Sequence, residues 1–233
     1  MGPRGWLIID DYVAQQETET EAEWRLPRLR FLADGKGMKA DDPTGVNAVE
    51  LMWTLVPENT NGSRMARLVR VSQVESVDES LTNSSYAMSL ARAGQATTLL
   101  DGVAFLAFRI PGATSSAFQT TSYSGLNFPS TIEVQLERVA GNIRSKAPIL
   151  DLAIADDSAQ IVLRGQSPLK IPEFALIGSE WVRVSGEFPR MTFSARGQRS
   201  TFADAHPART PVYFPEVYSS FHNVLAKGRR QDL

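Results

Sequence analysis

The feature that most restricts this chain is a two-residue rhythm of apolar and polar side chains. Val49, Leu51, Trp53 and Leu55 alternate with Glu50, Met52 and Thr54, and Ile132, Val134 and Leu136 alternate with Glu133, Gln135 and Glu137. Period two sends successive side chains to opposite faces of an extended backbone, so each stretch predicts a strand with one apolar face. The run from Val103 to Ile110 is apolar on both parities and predicts a strand buried on both sides, bracketed by Gly102 and Pro111-Gly112. Shorter runs recur at 6–9, 22–31, 68–74, 96–100, 149–154, 160–163, 174–177, 181–184 and 191–195, many divided by Gly, Pro, Asn, Asp or Ser. About a dozen strands without crossover helices predict an all-β, mainly antiparallel fold rather than a parallel α/β sheet.

A length of 233 residues suits one large β-sandwich, and the expectation is a single jelly-roll-like domain over 1–233 with long loops. Pro215 can open a helix at about 215–228, because Val217, Tyr218, Phe221, Val224 and Leu225 follow at helical spacing and Gly228 can end it. A second candidate helix runs from Ser84 to Ala93, capped by Asn83 or Ser84 and ended by Gly94, although Tyr86, Met88 and Leu90 also alternate as in a strand. Asn61-Gly62 favours positive φ and predicts a hairpin turn between the strand at 49–55 and one beginning near Arg67. Polar loops are expected at 33–45, 57–63, 112–129 and 196–211. The third holds seven Ser and Thr residues, with Phe118, Tyr123, Leu126 and Phe128 set among them.

Composition removes several kinds of chemistry. With no cysteine there is no disulfide framework, thiolate metal site, iron–sulfur cluster or cysteine nucleophile, and the redox compartment stays open. Trp6 to Ile9 is too short for a secretory signal, and Val103 to Phe108 is too short for a membrane-spanning helix, so neither export nor a membrane span is expected. A net charge of −2 and a pI of about 5.8 leave no concentrated basic patch for nucleic acid. Charge is uneven, however: residues 1–60 carry eleven acids and six bases, residues 158–233 six acids and ten bases. Such asymmetry can draw chain ends or neighbouring copies together.

No catalytic constellation is visible. His206 and His222 are the only histidines, and neither has a partner at metal-ligand spacing. The doublets Asp10-Asp11, Asp41-Asp42 and Asp156-Asp157 place their members on opposite faces of a strand or in water. Ser167-Pro168-Leu169-Lys170 has the spacing of a serine–lysine pair, but its prolines oppose the helix that such a pair requires. Gly35-Lys36-Gly37 lacks the spacing of a phosphate loop, and the sequons at Asn61 and Asn83 read as turns. Trp6, Trp24, Trp53 and Trp181 fall in expected strands, where they read as core.

These features together predict a non-enzymatic structural or assembly protein without cofactor or metal. It would be a subunit of a shell or particle such as a virus capsid, made in the cytoplasm and bound to copies of itself or companion proteins. The expected contacts are Phe118, Tyr123, Phe128, Lys227, Arg229 and Arg230. The alternative is a carbohydrate-binding sandwich, possible if Trp24, Trp53, Tyr123 or Trp181 share an open face. A third is an enzyme whose His206, His222, Asp10 and Glu23 converge only in the fold.

Overall fold

A computed structural model describes residues 6–19, 21–33, 49–58, 63–74, 80–113, 120–125 and 129–223. The elements in chain order are β1 (Leu7–Gln15), β2 (Trp24–Ala33), β3 (Val49–Pro57), β4 (Ala66–Val74), α1 (Ser84–Arg92), β5 (Thr97–Arg109), β6 (Tyr123–Gly125) and β7 (Thr131–Arg138). There follow α2 (Gly141–Arg144), β8 (Ile149–Leu150), β9 (Gln160–Arg164), β10 (Phe174–Ile177), β11 (Glu180–Glu187), β12 (Arg190–Gln198), β13 (Val212–Tyr213) and β14 (Glu216–Asn223). The fold is all-β, with two curled antiparallel sheets, one nine-residue helix and a single helical turn.

The first sheet has the order β14-β7-β5-β4-β3-β2-β1-β6, so β1 to β5 form a simple meander. It curls almost into a barrel. Thr121 N–H donates to the Phe108 carbonyl, and two residues later Tyr123 pairs with Ile9, so the segment 120–125 joins β5 to β1. Inside the curl pack Leu7, Ile9, Leu26, Met52, Leu55, Val69, Val71, Leu106 and Phe108. Helix α1 adds Ala87, Met88 and Ala91 to that cluster. Asn83 caps it by accepting from Ser85 N–H at 3.0 Å and Tyr86 N–H at 3.2 Å, and Gly94 at φ 77° stops it.

β5 is shared between two partners. Its first half pairs with β4, and from Val103 onward it pairs with β7 on the other side. The hand-over happens at Gly102, where φ is +67° and an added Cβ would stand 2.2 Å from the Val139 carbonyl oxygen. Only glycine fits that backbone. Both faces of the strand are covered beyond this point: Leu106 and Phe108 face the curl, while Ala104 and Phe105 face the second sheet.

The second sheet, in the order β13-β10-β11-β12-β9-β8, closes on itself. Leu150 N–H donates to the Thr210 carbonyl at 3.0 Å, and Val212 N–H to the Pro148 carbonyl at 2.8 Å, which returns β8 to the β13 end. Leu150, Ile161, Ala175, Ile177, Val182, Val184 and Met191 fill its interior. A third cluster joins the sheets: Met65, Ala104 and Val139 from the first meet Phe174, Leu176 and Trp181 from the second.

Each run expected from periodicity lies in a strand, although 96–100 and 103–110 join through Gly102 into the single strand β5 and the run at 149–154 shrinks to β8 and a lone bridge between Ile154 and His206. The C-terminal helix is a correction. Residues 216–223 form β14, paired along its whole length with β7. Val217, Tyr218 and Phe221 favour strands, the two serines between them are weak helix formers, and the open edge of β7 supplies a ladder that an isolated helix would lack. The expected loop at 196–211 is also corrected at its start, because Arg196 to Gln198 extend β12. β3 and β4 are antiparallel neighbours, as a hairpin requires. Asn61-Gly62, Asp41-Asp42 and Gly35-Lys36-Gly37 lie outside the described residues.

Candidate functional site

Among the described residues three clusters of charged side chains enter the interior, besides the buried Arg64, which donates to the Ala22 carbonyl. Asp10 on β1 receives a bidentate contact from Arg28, at 2.9 and 2.7 Å, and a further one from Arg30 at 2.6 Å. Arg30 also donates to the Leu81 and Thr82 carbonyls at 2.8 Å, while Glu50 accepts from the Ser80 hydroxyl and from Leu81 N–H, each at 2.6 Å. This network fastens the lead-in to α1. Burial lowers the Arg30 pKa, opposed by Asp10. Asp11 faces the other way, to Arg25, as period two demands of neighbours.

At the joint between the sheets, Arg199 binds Glu137 through two contacts of 2.6 Å. Its guanidinium lies 4.3 Å from the Phe105 ring, 4.3 Å from Phe174 and 4.2 Å from Trp181. Arg199 and Ser200 both hold left-handed backbone, with φ of 54° and 59°, which turns the chain so that the side chain points inward. The third cluster centres on Glu180, which has no exposed surface. It accepts from Arg196 at 3.0 and 2.6 Å, from Gly197 N–H at 3.0 Å and lies 2.8 Å from His206 Nε2. Burial pushes the Glu180 carboxyl up, but His206, Arg196 and Gly197 together hold it below its ordinary value.

Among the described residues two clefts bear on function. One, of about 640 Å³, lies between the sheets and is lined by Trp24, Arg64, Phe105, Trp181, Arg199 and Phe202, with Asp11, Glu23, Arg25, Thr120 and Ser122 at its polar parts. The indoles there are engaged: Arg64 stands 5.9 Å from the Trp24 ring, and Arg199 covers Trp181. The other, of about 680 Å³, is lined by Lys146, Leu169, Ile171, Phe214, Val217 and Tyr218. Neither is lined by Glu180 or His206.

The second cleft runs into the most unusual surface of the molecule. Every described side chain of β14 is exposed, including Val217 at 53%, Tyr218 at 50% and Phe221 at 67%. Leu169 beside it is fully exposed. Among the described residues only β7 pairs with β14, so its outer edge offers free backbone donors and acceptors. β1, near the opposite end of the sheet, differs. β6 covers Leu7 to Ile9, and Asp10 and Asp11 follow. β14 carries no Lys, Arg or Pro that would blunt it.

The residues named from sequence are not brought together. His206 is buried against Glu180, whereas His222 is exposed on β14 with Nε2 2.8 Å from Ser220 Oγ. Asp10 and Glu23 serve separate arginines. Among the described residues Ser167 donates to the adjacent Pro168 carbonyl, in a loop. Tyr123 is half-buried in β6, packed against the first core; Phe118, Phe128, Lys227, Arg229 and Arg230 lie outside the described residues. No ion pair among the described residues links 1–60 with 158–233, so the charge gradient is not used between the two ends there. Among the described residues no group of three or more His, Asp or Glu is placed to hold a metal, and no helix is long and apolar enough to cross a membrane. Sequence reasoning missed the β14 surface; its signal was the spacing of Val217 and Phe221, which fits one strand face as well as a helical stripe.

No family model matches the chain, and neither curated proteins nor solved structures provide a match.

Proposed function

We propose that this protein is a non-catalytic building part that associates, through the open edge of β14 and the apolar groove beside it, with copies of itself or with companion proteins. The observation that carries this reading is an eight-residue edge strand with exposed Val217, Tyr218 and Phe221 and no charged guard on its outer residues. A shell or particle such as a virus capsid is the larger assembly that such a part would serve, by analogy of architecture. The buried ion clusters support a structural role, since their hydrogen-bonding capacity is turned to holding loops and sheets together. Sedimentation velocity from micromolar to tens of micromolar protein tests the reading: discrete larger species growing with concentration are expected, and a single monomeric boundary throughout contradicts it. Replacing Lys227, Arg229 and Arg230 with Ala should weaken association more at low salt than at high, because screening already removes such attraction in high salt.

The cleft between the sheets supports the second reading, carbohydrate binding, through exposed Phe202 and its polar lining. The arginines over Trp24 and Trp181 weigh against it by occupying the faces on which a sugar would stack. A glycan array with hits lost in Trp24→Ala would restore it.

A further inference from the structure

Hydrogen-bond parity decides what can dock on β14. Phe108 turns its carbonyl to Thr121 and therefore away from β7. Its partner Val134 must then turn its own backbone groups toward β14, because N–H and C=O of one strand residue share a side and neighbours alternate. Val134 pairs with Ser220, so Tyr218, Ser220 and His222 bond to β7. Val217, Ser219 and Phe221 direct their N–H and C=O groups to the open edge.

Building on the assembly reading, we infer that β14 pairs antiparallel with β14 of a second copy, about a two-fold axis through Ser219. In that register Ser219 faces Ser219 of the second copy, and Val217 faces Phe221 of the second copy, twice over. All three pairs join outward-directed residues, so each can exchange two backbone hydrogen bonds. The apolar side chains meet on one face. On the other, Glu216 falls opposite His222 of the second copy, an acid against an imidazole at both ends. Shifting the axis to Ser220 keeps the backbone bonds but sets Ser219 against Phe221 and separates the acid from the imidazole. Pro215, without an N–H, ends the ladder on each side. Phe221 of the second copy would stand beside Val217, at the groove that exposed Leu169 also lines. An isologous pair of this kind closes on itself, leaving other surfaces for higher assembly.

Because the chain has no cysteine, an introduced one is unique. In the proposed register Ser219→Cys brings two Cα atoms to about 5.5 Å, within disulfide range. Ser220→Cys leaves them about 7–8 Å apart, too far to bridge. Mild oxidation should convert most of S219C, and little of S220C, to a covalent dimer. Ser219→Pro removes a donor that points outward and spares the β7 ladder, so it should keep the wild-type melting temperature measured under dilute, monomeric conditions and raise the dimer dissociation constant at least tenfold. Efficient cross-linking of S220C, or none of S219C, overturns the register. An S219P protein that associates like wild type shows assembly through another surface and overturns the edge pairing alone, whereas a wild type monomeric at every concentration overturns the assembly reading with it.

Discussion

Arg199 carries a full charge into the joint between the two sheets, where Glu137 and three aromatic rings surround it. Both side chains are almost fully buried. Leaving one of such a pair alone strands an uncompensated charge, at a cost of about 3–5 kcal/mol. Arg199→Met should lower stability by that order, read from the midpoint of urea unfolding, and Arg199→Met combined with Glu137→Gln should recover part of the loss. Glu180 makes a second test. Its folded pKa lies below its unfolded one, so its contribution is full above the ordinary carboxylate value of 4.5 and is lost as pH falls through the folded value. Melting temperature should drop below about pH 4.5, and Glu180→Gln should be less stable at neutral pH but flatter on the acid side. Tyr12 acts at the other extreme. Burial pushes its phenol from 10.0 to about 12, against the pull of Arg92 and Arg28, and its hydroxyl donates to the Leu55 carbonyl. Stability should therefore decline as pH rises from 10.0 toward about 12, and Tyr12→Phe should remove that part of the alkaline slope in a spectroscopic titration. Little of this was legible in sequence. Glu50 and Glu137 looked like the wet face of alternating strands, yet both are buried, because their partners Leu81 N–H and Arg199 arrive from segments 31 and 62 residues away.

Elements were easier to read than partners. Strand positions follow from side-chain alternation alone, which is local, and β3, β5 and β7 lie where the rhythm of 49–55, 103–110 and 132–136 places them. The helix at 84–92 was legible through Asn83 and Gly94, which set its ends. Asn83→Ala should cost about 1 kcal/mol in thermal unfolding. The C-terminal strand was not legible, since Val217 and Phe221 are spaced equally well for a helix turn and for one strand face; the edge of β7, invisible in sequence, decided the matter. Strand closure was hidden for the same reason. Gly102 tests the hand-over of β5 between β4 and β7: Gly102→Ala must fit a Cβ against the Val139 carbonyl on a left-handed backbone. The backbone strain alone should cost about 1–3 kcal/mol, and a melting temperature equal to wild type would show that the junction can relax.

At the scale of the whole molecule, one sheet closes completely and the other nearly so, which removes most of the strand edges that a dozen or more strands would otherwise present. The edge left along β14 is long, apolar and aimed outward, and the apolar groove adjoins it. Closure is why the candidate site could not be read from composition: Val217, Tyr218 and Phe221 matter because nothing in the described fold covers them, and cover is a property of the folded chain. The amide protons of β14 report on this directly. Residue-resolved hydrogen exchange should find Tyr218, Ser220 and His222 protected at every concentration by their bonds to β7, with Val217, Ser219 and Phe221 exchanging rapidly in dilute protein and slowly once it associates. Fast exchange at those three amides in the associated state, or slow exchange in the dilute monomer, would show that the edge of β14 is not where this protein meets its partner.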